Sequence, residues 1–160
     1  MYKTNIPGII SKSSVIALIG VIAIVLSSCR ISLIADYDDQ IAQQIELTAK
    51  KIDKFYLSML ETTNQNETDR EFSNFVEEYI DIEVELNALL NRNKVKSLNK
   101  NSIRICEITL ELWIKYKEEH KKDIRLSDAK IRLNRKNMGD LFYAMMTAEE
   151  GKKAIENTQN

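Results

Sequence analysis

The sequence predicts an all-α protein: an antiparallel four-helix bundle preceded by a hydrophobic N-terminal signal helix. Two observations lead there. Four segments carry apolar residues at alternating spacings of three and four, which places them on one stripe of an α-helix. After Pro7 there is no proline, and beyond residue 20 the only glycines are Gly139 and Gly151, a depletion that favours long helices.

The chain opens with Lys3 and Lys12 and no acidic residue, followed by an uninterrupted apolar run from Val15 to Leu26 and then by small residues. As a helix this run is about 18 Å long, short of the roughly 30 Å hydrocarbon core of a bilayer. Its charged, apolar, small-residue order is that of a secretory signal, with the positive end left in the cytoplasm. An uncleaved helical anchor is the alternative.

At the exit the residues are Leu26-Ser27-Ser28-Cys29. This segment resembles the lipobox of bacterial lipoprotein precursors, an aliphatic residue and two small ones before a cysteine. The resemblance implies cleavage between Ser28 and Cys29 and a diacylglycerol thioether on Cys29, with the new amino terminus usually acylated as well. Two or three acyl chains on one residue make a stable anchor where one is marginal. The implied divisions are a signal peptide over 1–28, a helical domain over 29–150 and a polar tail over 151–160. Arg30 stands where aspartate commonly marks inner-membrane retention in Gram-negative lipoproteins, so the resemblance favours the outer membrane, facing the periplasm.

Loss of the signal leaves about 130 residues, the size of one domain with a real core. The whole chain has a formal net charge of −1, and the signal removes only cations, so nothing provides the basic footprint of a nucleic-acid-binding protein. With Cys29 committed to lipid, Cys106 has no intramolecular partner. Its neighbours Ile103, Ile105 and Ile108 predict a buried, inert thiol.

The first helix is predicted from about Ile31 to Leu60, with Ile41, Ile45, Thr48, Ile52, Phe55 and Met59 as its inner stripe. A polar turn over 62–68 ends in Thr68-Asp69-Arg70-Glu71, which has the form of a capping box and predicts that the second helix starts at Asp69. That helix runs to Asn91 with Phe72, Phe75, Tyr79, Ile82, Leu86 and Leu89 inward. Glu77, Glu78, Asp81 and Glu85 are expected on its solvated face rather than in a cation site.

A basic turn over 92–100 follows, expected to be an ordinary surface loop, with a role in touching acidic lipid headgroups or peptidoglycan as the alternative. The third helix, from Asn101 or Ser102 to Lys121, has apolar residues on a broad face around Cys106 and Trp113 and is expected to be the most deeply buried. His120 is expected near its end as a cation facing terminal carbonyls. Ser127 caps a fourth helix that is predicted to end at Glu150, with Met138, Phe142, Met145 and Met146 inward and Asn134 interrupting the stripe. Gly139 implies a kink or a close helix contact.

No catalytic constellation is present. His120 is the only histidine, and the position three residues before it is Lys117, not the glutamate of a carboxylate-bridged metal bundle. There is no phosphate loop and no nucleophile elbow, so no enzyme activity, metal or cofactor is expected. The mature part resembles a loose group of small helical proteobacterial lipoproteins, through Ile34-Ala35-Asp36-Tyr37-Asp38 and through Leu126-Ser127 with Phe142 and Glu149 or Glu150 in the last helix. No activity comes with that resemblance. Tyr37 is expected to pack the bundle and Asp38 to cap or bridge locally. The functional expectation is a structural or protein-interaction role, with a membrane partner through lipidated Cys29 and a protein partner in the envelope. The alternative is a small-ligand carrier with a pocket lined by Trp113 and the methionines.

Overall fold

The computed structural model describes residues 34–61 and 70–158, with side chains as far as Ile155. These belong to one compact unit, Ile34–Asn160. Four α-helices order the described residues: α1 (Asp39–Glu61), α2 (Val76–Lys94), α3 (Lys100–Asp123) and α4 (Asp128–Thr158), with a 3-10 turn at Phe72–Phe75 leading into α2. There is no strand among them; Glu71 and Arg125 form an isolated bridge.

Each helix packs on two others in the closed order α1, α2, α3, α4 and back to α1. Side chains fix the directions. Arg92 late in α2 reaches Gln40 early in α1, Glu83 early in α2 pairs with Lys117 late in α3, and Tyr116 late in α3 meets Asn137 early in α4. Asp38 before α1 meets Glu149 late in α4. Neighbours are therefore antiparallel, as short connections require.

The spaced stripes of α1 and α2 are the ones buried, from Ile41 to Met59 and from Phe75 to Leu89. They converge on Phe55, whose ring meets Tyr56, Phe75, Tyr79 and Trp113 edge-on at centroid distances between 4.8 and 5.8 Å. This edge-to-face geometry sets the positive ring edge against a negative face. Trp113 is 0% exposed at the centre.

Several expectations are corrected. The first helix begins at Asp39, not Ile31, because Asp38 caps it: Asp38 Oδ1 accepts hydrogen bonds from the amides of Gln40 and Ile41. The second helix does not start at Asp69. Thr68 and Asp69 lie outside the described residues, and Glu71 is extended, at φ −68 and ψ 141, with no capping bond. Arg70 explains this. Its guanidinium turns inward to donate to the carbonyls of Met59 and Leu60, the orphan acceptors at the end of α1. It also pairs with Asp128 in the first turn of α4.

The third helix is not the most buried. Its inner stripe is Cys106, Thr109, Trp113, Tyr116 and His120, while Ile108 and Ile114 are exposed. The fourth helix starts under Ser127, whose Oγ accepts from the Lys130 amide, but it continues past Glu150 to Thr158. Asn134 lies on its buried stripe rather than interrupting it. Gly139 makes no close helix contact, since a Cβ there meets nothing within 4 Å.

Candidate functional site

Ser28 and Cys29, the predicted cleavage and lipidation residues, lie outside the described residues. The other singled-out side chains fall into three places: the end of the bundle where the chain enters, the aromatic far end, and a groove along α1 and α4.

At the entry end, residues 35–38 are bound to the turn between α2 and α3. The Ala35 amide donates to the Leu98 carbonyl at 3.2 Å, and Lys96 Nζ donates to the Asp36 carbonyl and to Asp38 Oδ2. Burial pushes the Asp38 carboxyl up, but the bonds from Lys96, Ile41 and Gln40 outweigh it and hold the group below its ordinary value. Tyr37 has Lys153 over its ring, 4.9 Å from the centroid. Its hydroxyl is pushed up to about 12, first by a hydrogen bond with Asp39 and then by burial and nearby carboxylates.

Beneath this segment lies a buried polar chain that periodicity did not reveal. Glu149 Oε1 accepts from the Asp38 amide and Oε2 from Lys152 Nζ. Lys152 Nζ also donates to Asn99 Oδ1, and Asn99 Nδ2 donates to both the carbonyl and Oδ1 of Asn93. Asn93 Nδ2 closes the chain on the Leu89 carbonyl. The Glu149 and Lys152 side chains are 1% and 7% exposed. A buried charge is tolerated only when paired and hydrogen-bonded, and here both carboxylate oxygens and the ammonium are engaged. The one sequence signal was the spacing of Glu149 and Lys152, three apart on a helix, which is commonest on surfaces.

Cys106 is buried as its isoleucine neighbours predict, and its thiol is raised to about 11, chiefly by burial, with Lys152 opposing. It is a thiol rather than a nucleophilic thiolate at neutral pH.

At the far end His120 is fully buried, which corrects its expected role as a cation at a helix terminus. Nε2 lies 2.9 Å from the Arg70 carbonyl and Nδ1 3.1 Å from the Tyr79 hydroxyl. The carbonyl only accepts, so Nε2 carries the proton and Nδ1 accepts from tyrosine. Desolvation is the largest cause lowering its pKa, so the ring is neutral. Trp113 Nε1 donates to the Tyr79 carbonyl at 3.3 Å. These groups bind one another and the backbone, as core side chains do.

The groove between α1 and α4, about 630 Å³, is lined by Ile45, Ala49, Leu57, Phe142, Tyr143 and Met146 among others, with Gly139 in its wall. Trp113 does not line it, and Met138 and Met145 are buried. The acidic residues of α2 point outward, with Asp81 and Glu85 each 3.7 Å from Lys51. Among the described residues no group of three or more histidine, cysteine or acidic side chains is placed to hold a metal ion. No helix among them is long and apolar enough to cross a membrane.

Compared with known proteins, the chain matches no family model, no curated protein and no solved structure. What the described residues define is an all-α bundle with a buried, hydrogen-bonded polar chain at its entry end.

Proposed function

We propose that this chain is a bacterial cell-envelope lipoprotein, exported by its apolar N-terminal signal helix, anchored through acylated Cys29 and serving a non-catalytic structural or protein-interaction role. The observation that carries it is Leu26-Ser27-Ser28-Cys29 at the exit of an apolar run with lysines before it. Consistent with a non-catalytic role, Glu149, Lys152 and His120 are occupied by hydrogen bonds within the fold. Arg30 after the cysteine supports an outer-membrane location facing the periplasm in a Gram-negative host. The test is Cys29→Ser: incorporation of labelled fatty acid is lost and the precursor keeps its signal. Fatty acid remaining on the variant, or a mature amino terminus far from Cys29, overturns the reading. Crosslinking in intact cells identifies the protein partner.

The groove between α1 and α4 favours a second reading, a small-ligand carrier, because its walls are mainly apolar and it is large enough for a small molecule. Ala49→Trp fills it. Loss of a co-purifying small molecule from that variant, with helical content kept, supports a carrier.

A further inference from the structure

The turn between α2 and α3 exposes apolar side chains in a basic setting. Val95 is 84% exposed and Leu98 58%, between the exposed Lys94 and Lys100. Leu98 also holds a positive φ of 58°, a region that favours glycine or asparagine. A leucine kept there is strained locally and gains nothing from burial in the core. Ile155 of α4, 44% exposed, lines a small cavity with Leu98 and Ile34, so the apolar surface continues across the end of the bundle.

The far end has a comparable residue: Ile124, also 58% exposed, with φ 64°. Exposure and strain therefore do not distinguish the two ends, but the covalent chain does. From Cys29 to Ile34 is five residue steps, at most about 18 Å fully extended. The ends of α3 lie about 36 Å apart at 1.5 Å per residue. Residue 35 is hydrogen-bonded to Leu98, so an anchor at Cys29 keeps the Leu98 end within reach of the membrane and places no such limit on Ile124.

The geometry points to a second membrane contact: the 94–100 turn is a docking face for an anionic lipid surface, with Val95 and Leu98 entering the interface and Lys94 and Lys100 meeting headgroup phosphates. This rests on the lipid-anchor reading. Neither lysine is in an ion pair among the described residues, whereas Lys96 is held by Asp38. The exposed Asp36 nearby lies on the opposing side of the balance. Each lysine near an anionic surface shifts the ratio of docked to lifted bundle about fivefold, and salt screens this within about 8 Å at physiological strength.

The full-length protein, purified from membranes and reconstituted into vesicles with or without phosphatidylglycerol, carries an environment-sensitive thiol label at Val95→Cys or, as control, Ile124→Cys. Unsubstituted protein is labelled first. No label means that Cys29 is blocked, as the anchor requires; label at Cys29 sinks the anchor alone, and the comparison of 95 with 124 then proceeds in Cys29→Ser. The docking face predicts that lipid-borne quenchers reach the label at 95 and not at 124. It further predicts more quenching with phosphatidylglycerol, and a docked-to-lifted ratio falling about 25-fold in Lys94→Gln/Lys100→Gln. Equal quenching at both positions, or a label at 95 that stays in water while Cys29 is blocked, overturns the docking face and leaves the anchor standing. Shielding at 95 in native membranes but not in pure lipid also overturns it, in favour of a protein contact.

Discussion

The two ends of the bundle solve the same problem, an irregular segment laid over a core, with opposite chemistry. At the entry end the segment 35–38 sits on a charged interior in which Glu149, Lys152, Asn99 and Asn93 form one hydrogen-bonded chain. At the far end Arg70 arrives over neutral aromatics, and the buried His120 bonds only to a carbonyl and a hydroxyl. The difference teaches where the fold is most vulnerable. Removing Glu149 strands the buried Lys152 charge, whereas removing a partner of His120 strands only a dipole. The Arg70 guanidinium at the far end has backbone carbonyl partners besides Asp128.

The largest effect is therefore expected from Glu149→Ala, which leaves the Lys152 ammonium buried without its carboxylate and frees the Asp38 amide. A loss of about 3–5 kcal/mol in denaturant unfolding is predicted. The exposed pair of Glu46 and Lys50 serves as the reference, where Glu46→Ala costs at most about 0.5 kcal/mol. Equal losses at the two positions would erase the distinction between the charged interior and an ordinary surface pair. Tyr79→Phe comes next: it takes the donor from His120 Nδ1 while keeping the ring, and about 1–3 kcal/mol is expected. A Tyr79→Phe loss exceeding that of Glu149→Ala would invert the comparison.

Acid reaches His120 and the carboxylates in different pH windows. His120 has a lowered pKa, so the unfolded chain binds a proton that the folded chain refuses. Its contribution is complete above the ordinary value of 6.5 and is lost as pH falls toward the lowered folded value. Asp38 is also lowered, and its contribution is present above the ordinary 3.8 and lost below it. A melting temperature tracked from pH 8 to 3 should decline first through His120 at the far end, and later as lowered carboxylates at both ends, Asp38 at the entry and Asp128 beside Arg70, take up protons. A flat profile between pH 7 and 5 would contradict a neutral, buried His120. The smallest effect belongs to neither end: Gly139→Ala, midway along α4 with open space for a Cβ and ordinary helical φ, should gain about 0.5–1 kcal/mol. A loss there would mean the groove wall needs glycine.

The helices were legible because periodicity reports burial directly. Ile41 to Met59 and Phe75 to Leu89 are inside because a three-and-four spacing has only one face to bury. The third helix misled because its apolar residues exceed the width of the face that packs. Ile105, Ile108 and Leu112 spread around the cylinder, while Thr109 and His120, polar by type, occupy the inner row. Thr109 gives its hydroxyl to the Ile105 carbonyl and His120 finds a tyrosine, so neither is buried with its polarity unmet. The capping box misled for a related reason: Arg70 has stronger partners in the open carbonyls of α1 than in the start of its own helix.

Residue order by itself determined the all-α class, the number of helices in the bundle, the inner faces of α1 and α2, and the cap at Ser127, because each depends on neighbours within one or two turns. The tertiary structure alone decided that Arg70 closes α1, that His120 is neutral and that Glu149 and Lys152 are buried together. It also set Val95 and Leu98 at the end where the chain enters. For His120 and Lys152 the partners are more than 30 residues distant, Tyr79 and Asn99, and Arg70 reaches back 10 and 11 residues to Leu60 and Met59. Local sequence carries no term for a partner that only packing delivers.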